Sequence, residues 1–234
     1  MQLGKVYLIP TVLFDEVIET IPAYVIEAVK KCQVFFVENE KTTRRYFKKI
    51  WKEIEIDNYQ WYAIHKAEDA VLQQFITTLK AGKNIGIVSE AGCPAIADPG
   101  QILVNAAQQL KATIKPLVGP SSILLALMAS GLNGQHFTFN GYLPIDTNDR
   151  KKKIKILETE SSKTHCTQIF IETPYRNNQL IKDILSICKN ETKLCIATNI
   201  TASNECIVTK TINEWQKNIP DLHKQLCIFL LASA

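Results

Sequence analysis

One loop of this chain gathers hydroxyl, carboxyl and thiol groups among turn-forming residues. Ser89, Glu90, Cys93 and Asp98 all lie within Val88-Ser89-Glu90-Ala91-Gly92-Cys93-Pro94-Ala95-Ile96-Ala97-Asp98-Pro99-Gly100. The apolar run Ile85 to Val88 ends in this loop, and a helical pattern starts after it at Ile102. A loop at the carboxyl end of a buried strand is where open α/β sheets place ligands. Gly119-Pro120-Ser121-Ser122 repeats the arrangement after the apolar stretch Ile114 to Val118. Two such loops near mid-chain point to one cleft built by two lobes. No G-x-G-x-x-G and no G-x-x-x-x-G-K-[ST] occurs, which argues against an ordinary dinucleotide domain or a P-loop. No G-x-S-x-G occurs, which argues against an α/β-hydrolase.

Nucleic-acid contact is the second chemistry the residues raise. Lys41, Arg44, Arg45, Lys48, Lys49 and Lys52 crowd together, interleaved with Tyr46, Phe47 and Trp51. Phosphate neutralisation needs such clusters, and single-stranded RNA stacks on aromatic rings. The same pattern also fits a solvated helix face whose other side, Phe47, Ile50, Trp51 and Ile54, is buried. A second basic run, Arg150 to Lys153 with Lys155, is placed by its surroundings in a polar loop after Leu143-Pro144, open to RNA. Metal chemistry is not indicated. The seven cysteines and four histidines are scattered with no C-x-x-C pair. Closed zinc sites need closely spaced ligands, and an odd cysteine count does not suggest a disulfide framework.

The elements that must position these groups alternate. Strand patterns occur at Lys5 to Ile9, Val34 to Val37, Ile85 to Val88 and Ile114 to Val118. Between them, helical stripes run through Val25, Ile26, Val29 and Cys32, through Ala70 to Leu79, and through Ile102, Leu103, Ala106, Ala107 and Leu110. Such alternation predicts a largely parallel sheet. Ser121 is placed to cap a helix burying Ile123, Leu124, Leu127 and Met128. Phe137 to Tyr142, Gln168 to Glu172, Leu194 to Ala197, Cys206 to Thr211 and Leu226 to Leu231 predict a strand-rich second half with some antiparallel pairing. A helix through Leu180 to Cys188 and a short one around Trp215 complete it. The expected division is 1–118 and 119–234. A net charge of +4 is mildly basic, short of a dedicated nucleic-acid module. No apolar run reaches the roughly 18 residues of a membrane span, and no secretory leader is evident, so the cytoplasm is the expected compartment.

The loops resemble a known family. Val88 to Gly100 is similar to the V-S-D-A-G-x-P-x-[IV]-x-D-P-G signature of the ribosomal RNA small subunit methyltransferase I family, within the tetrapyrrole-methylase superfamily. The resemblance continues through Leu117-Val118-Gly119-Pro120-Ser121-Ser122, Phe139-Asn140-Gly141-Tyr142-Leu143-Pro144 and Phe170-Ile171-Glu172-Thr173-Pro174-Tyr175-Arg176. Val37-Glu38-Asn39 with Thr43-Arg44 is similar to the family's A-E-D-T-R. The motifs occur in order over nearly the whole chain. The resemblance implies a two-lobed α/β class III methyltransferase fold, with a mostly parallel N-terminal sheet, a mixed C-terminal sheet and the donor in a cleft between lobes. It implies S-adenosylmethionine as cofactor, 16S ribosomal RNA or the small ribosomal subunit as partner, a homodimer, and transfer to a ribose 2′-hydroxyl. By residue-wise carry-over, the donor contacts are Pro10, Ser89, Glu90, Gly92, Cys93, Ser121, Ser122, Ile171 and Ala197. Gly92, Gly119 and Ser121 are then small so that the backbone can approach the donor closely. Glu38, Glu172 and Glu205 match family carboxylates and are the candidate bases, with ties to loop amides as the alternative role for the first two. Arg44, Arg45, Lys151, Lys152 and Arg176 are the expected acceptor-binding cations. His65 is similar to a family histidine after a strand, or is a surface histidine.

The chain also departs from that pattern. The family's P-[TS]-P-I-G-N-L is here Pro10-Thr11-Val12-Leu13-Phe14-Asp15-Glu16, without the Gly-Asn element. Its A-R-E-[LI]-T-K is here Ala197-Thr198-Asn199-Ile200-Thr201-Ala202, without the Arg, Glu and Lys. Glu90 stands where the family carries an aspartate. Two other readings therefore stay open: a methyltransferase of the same superfamily acting on a tetrapyrrole or another small-molecule or protein acceptor, and a non-catalytic RNA- or ribosome-binding protein that keeps the fold.

Overall fold

Continuous apolar runs such as Val34 to Val37 have no polar face to turn to water, so they must lie in a sheet covered on both sides. The computed structural model, which describes residues 2–64 and 68–233, places them so. The chain divides into two compact units, Met1–Ser121 and Ser122–Ala234. In the first, β1 (Val6–Ile9), β2 (Val34–Val37), β3 (Gln60–Ala63), β4 (Ile85–Val88) and β5 (Ile114–Pro116) form one sheet in the order β3-β2-β4-β1-β5. Every pairing in it is parallel. Parallel neighbours need crossovers, and α1 (Tyr24–Lys31), α2 (Glu40–Ile50), α3 (Glu68–Lys80) and α4 (Gln101–Gln109) lie between successive strands. Alternation along β2 feeds two cores. Val34 and Phe36 join Phe75, Leu79 and Leu103. Phe35 and Val37 join Val25, Val29 and Phe47. The Phe35 ring lies 4.9 Å from Phe47 and 5.0 Å from Trp61, contacts of about 0.5–1.5 kcal/mol each beyond area burial.

In the second unit, β6 (Phe137–Tyr142), β7 (Thr167–Ile171), β8 (Lys193–Thr198), β9 (Cys206–Thr211) and β10 (Cys227–Ala232) form a sheet in the order β6-β7-β10-β8-β9. Only the β6–β7 pairing is parallel, so the sheet is mixed. Around it lie α5 (Ser122–Ser130), α6 (Thr147–Thr164), α7 (Asn177–Ile187) and α8 (Ile212–Lys217). The Trp215 indole nitrogen donates to the Leu194 carbonyl at 2.8 Å, tying α8 to β8. A capping box of Thr211 and Glu214 starts that helix.

Several expectations need correction. The basic run 150–155 is not in a loop: α6 carries it, with Asp146 capping through the amides of Asn148 and Asp149. The buried face of α6 is Arg150, Ile154, Leu157, Glu158 and Ser161. Three of these five are polar, so the apolar stripe that reveals a helix is almost missing. Arg150 is not an RNA-facing cation. It and Asp183 are each 3% exposed, with Nη2 2.6 Å and Nε 2.7 Å from the carboxylate. On α5 the buried residues are Ala126, Leu127 and Ser130, whereas Leu124 is 51% and Met128 78% exposed. This helix is apolar all round, so its pattern could not indicate the side that packs. Ile102 on α4 is likewise exposed. The strand β3 gave no sequence signal of its own, because Gln60-Trp61-Tyr62-Ala63 is neither alternating nor uniformly apolar.

Candidate functional site

The parallel order of the first sheet brings the carboxyl ends of β1, β4 and β5 side by side, and the loop residues that follow are bonded to one another. The Thr11 amide donates to the Gly92 carbonyl at 2.9 Å, and its hydroxyl to the Ser89 carbonyl at 3.3 Å. The Ser89 hydroxyl donates to the Gly92 carbonyl at 3.3 Å. The Cys93 thiol reaches the carbonyls of Pro120 and Gly119, at 3.5 and 3.7 Å. The Pro10 carbonyl accepts the Tyr46 hydroxyl at 2.8 Å. Pro10, Ser89, Glu90, Gly92, Cys93 and Ser121 thus stand in one cluster of strand-tip loops, and Ser122 opens α5.

The two glycines are explained by this junction. A Cβ on Gly119 would sit 2.1 Å from the Pro10 Cβ. Gly92 has φ +72, and a Cβ there would meet the Pro120 carbonyl oxygen at 3.2 Å. Their smallness therefore already serves loop-to-loop packing. The remainder of the long loop is strained: Ala95 and Ala97 have φ 67 and 57, the left-handed region that costs non-glycine residues roughly 1–2 kcal/mol. Asp98 steadies it by accepting the Gly100 amide at 2.6 Å. Burial raises the Asp98 carboxyl above the ordinary range against the opposing pull of the Gly100 and Ala95 amides, and its Oδ2 is buried without a partner. Burial also raises the Cys93 thiol.

Each candidate carboxylate is engaged. Glu38, at the tip of β2, accepts the Glu90 amide at 2.6 Å. The Glu90 carboxylate in turn accepts the Thr42 hydroxyl at 3.0 Å. In the second unit, Glu172 Oε1 takes the Thr173 amide at 2.7 Å and Arg176 Nε at 2.9 Å and Nη2 at 2.5 Å. Its Oε2 is buried and unpartnered. Glu205 is exposed and accepts the Thr201 amide at 2.7 Å. Ile171 ends β7, half-buried, and Ala197 is buried in β8 between Ile228 and Ile207.

The basic cluster of α2 is both solvated face and anchored network. Its buried side is Thr43, Tyr46 and Phe47. Arg44 pairs with Glu40 at 2.6 Å and lies over the Trp61 ring at 5.2 Å. Arg45 pairs with Asp15 at 3.0 Å, and Lys49 donates to the Asp15 carbonyl. On α6, Lys151 is 3.9 Å from Asp183 and Lys152 3.4 Å from Asp149. His65 lies outside the described residues. Among the described residues no group of three or more His, Cys, Asp or Glu could hold a metal ion. None of the described helices is long and apolar enough to cross a membrane.

No protein-family profile matches the chain. Individual proteins do. The ribosomal RNA small subunit methyltransferase I of Buchnera aphidicola is 30% identical over 225 residues, 95% of this chain and 75% of that protein. The Bacillus subtilis protein of that name is 30% identical over 213 residues, 91% of this chain and 69% of the relative. The chain belongs to the ribosomal RNA small subunit methyltransferase I family. Identity is 35% to the Vibrio cholerae member, over 147 residues that make up 62% of this chain. There the match spans 50% of the relative, about half its length. Among solved structures, the methyltransferase CobJ matches with TM-score 0.66 at 13% identity, covering 100% of this chain and 95% of that one. Uroporphyrin-III C-methyltransferase from Thermus thermophilus, solved with S-adenosyl homocysteine, matches with TM-score 0.56 at 12% identity over 98% of this chain and 97% of its own. The fold of this family member is the tetrapyrrole-methylase, class III methyltransferase fold expected from the motifs.

Proposed function

We propose that this chain is an S-adenosylmethionine-dependent methyltransferase acting on ribosomal RNA, and that the acceptor is a ribose 2′-hydroxyl of 16S RNA. The observation that carries the reading is the bonded junction of the loops after β1, β4 and β5, in a chain that matches a family member over 95% of its length. Pro10, Ser89 to Cys93 and Ser121 are proposed as donor contacts from that junction. Ser122, Ile171 and Ala197 are proposed as further donor contacts from the family resemblance, and calorimetry with S-adenosylmethionine on Ser122→Ala and Ile171→Ala, each expected to weaken binding, tests the first two. The donor supplies a methyl carbon bonded to a sulfonium. Once bound, it would supply that carbon for in-line attack by the ribose oxygen, with the C–S electron pair going to sulfur and the hydroxyl proton to a neighbouring base. Most of the rate enhancement in such a step comes from holding oxygen and methyl in line. Glu38 and Glu172 act as positioning residues, holding the Glu90 amide and the Arg176 guanidinium. Glu205, the exposed carboxylate of the three, is proposed as the group that takes the proton.

A second reading rests on the altered Ala197 to Ala202 segment. Thr198 there donates to the Cys206 carbonyl at 3.2 Å, and Asn199 accepts the Leu226 amide at 3.1 Å. Where the family carries charge, this chain carries structural ties, which favours an RNA-binding protein without transfer. Titration calorimetry with S-adenosylmethionine, followed by transfer of a labelled methyl group to small ribosomal subunits and mapping of the product, separates the readings. Donor binding with a new 2′-O-methyl ribose is expected. Absence of donor binding rejects the methyltransferase reading, and methylation elsewhere than on RNA rejects the acceptor. Cytoplasmic location and a homodimer belong to the same proposal, the latter checked by light scattering.

A further inference from the structure

We infer that the second unit carries a nucleobase-stacking site, formed by the loop after β7 and the loop before β10, for a single-stranded segment of the RNA acceptor. This rests on the RNA reading above. The loop after β7 projects Tyr175, which is 72% exposed. A lone exposed tyrosine means little, but this one stands on a fixed base. Its ring meets His223 of the other loop at 6.0 Å, edge to face. In that arrangement each ring keeps at least one face the other does not cover. The loops are stitched together below the rings. The Lys224 amide donates to the Pro174 carbonyl at 3.0 Å. The buried Asn177 amide donates to the carbonyls of Gln225 and Leu222, at 2.8 and 3.3 Å.

Cations flank the rings on both loops. Lys224 follows His223 and is exposed. Arg176 follows Tyr175 and is 31% exposed, while its partner Glu172 is 0% exposed. Glu172 takes Nε and Nη2 of that guanidinium, which fixes its plane and leaves Nη1 for an outside acceptor. Charged groups of both signs face the site. The Asp221 carboxylate, which accepts the Asn178 amide and the His223 backbone amide, lies beside the rings as well. Two carboxylates against Arg176 and Lys224 leave little net charge, so stacking is the main contribution and Lys224 adds one phosphate contact. An exposed aromatic ring on a loop bonded to its neighbour, flanked by a lysine and an oriented arginine, is an arrangement that suits single-stranded RNA, bound through a base face and its phosphate.

The test is fluorescence anisotropy of a labelled single-stranded oligouridylate, run beside S-adenosylmethionine calorimetry on the same protein. Tyr175→Ala should weaken RNA binding about ten-fold or more, in line with the measured value of one stacked base. Tyr175→Phe should keep it. Lys224→Gln should lower the slope of log affinity against log salt by about 0.7, the value of one phosphate on a single strand. Donor affinity should not move. If Tyr175→Ala and Lys224→Gln bind the RNA as the unmodified protein does, the stacking site is refuted and the RNA reading survives. If the unmodified protein binds the donor and no RNA, the RNA reading fails and takes this inference with it.

Discussion

Replacing Arg150 by methionine tests whether the basic run of α6 is a binding surface or part of the core. The guanidinium makes two contacts to Asp183, at 2.6 and 2.7 Å, and donates to the carbonyls of Ile145 and Pro144 at 2.7 and 3.2 Å. It therefore joins α6, α7 and the turn that leads into α6. Arg150→Met leaves the Asp183 carboxylate 3% exposed, with the Gln179 amide at 3.0 Å and Lys151 at 3.9 Å as remaining partners. Breaking a buried pair from one side costs about 3–5 kcal/mol, because a desolvated charge is left behind. For a chain of this size each kcal/mol lowers the melting temperature by about 2–4 °C, so a fall of roughly 6–20 °C is expected. Scanning calorimetry reads it directly. Lys151→Gln and Lys152→Gln, at the surface of the same helix, should stay within about 0.5 kcal/mol. The double variant Arg150→Met with Asp183→Leu should recover most of the loss, since an apolar pair of similar volume removes the stranded charge. A single Arg150→Met variant that melts with the unmodified protein would show that the ion pair does not hold this unit together.

Gly119→Ala should destabilise the first unit by about 1–3 kcal/mol through overpacking against Pro10, and weaken donor binding, whereas Gly134→Ala, which meets nothing within 4 Å, should not; urea titration compares the two. Burial pulls the Glu158 carboxyl upward, but hydrogen bonds from Lys155, Thr192 and the Lys189 amide, with the Lys155 charge, outweigh it and hold its pKa below the ordinary carboxylate value. Its contribution is therefore present above the unfolded pKa and lost as pH falls through the folded one. The urea midpoint should drop below about pH 4.5, and Glu158→Gln should flatten that fall; an unchanged pH profile would refute it. Burial pushes the Cys188 and Cys227 thiols up to about 12, while Cys206 is exposed. Native-state thiol labelling should show a fast phase that Cys206→Ser abolishes, and a fast phase surviving that change would contradict the assignment.

What could be read in the sequence was local. Val34 to Val37 and Ile85 to Val88 are strands because a short apolar run between turn residues has few other uses. The loop after Val88 was visible because its turn residues are contiguous. Features that depend on distant partners were not visible. Arg150 looks like any surface arginine until Asp183 is folded against it. The reason for glycine at 119 is the ring of Pro10, and the role of Glu38 is an amide on another strand's loop. The α6 helix escaped notice because its buried face is satisfied by hydrogen bonds instead of by hydrocarbon. The Tyr175 and His223 pair joins loops that only β7 and β10 bring together.

The order β3-β2-β4-β1-β5 has a consequence for how the chain comes off the ribosome. β1 and β2 are synthesised first but do not pair with each other, since β4 lies between them. Both must wait, with their edges open, until residues 85–88 have emerged, and the far edge of β1 waits for residues 114–116. Such long-range parallel pairing is slow and leaves apolar strands exposed to aggregation. The central strand is also the one that ends in the Ser89 to Gly100 loop, so its arrival joins β1 to β2 and sets that loop beside the tip of β1, while β5 and the Gly119 to Ser121 loop complete the sheet and the site afterwards. Truncated or stalled chains ending before β4 should be chaperone clients with no trace of donor binding.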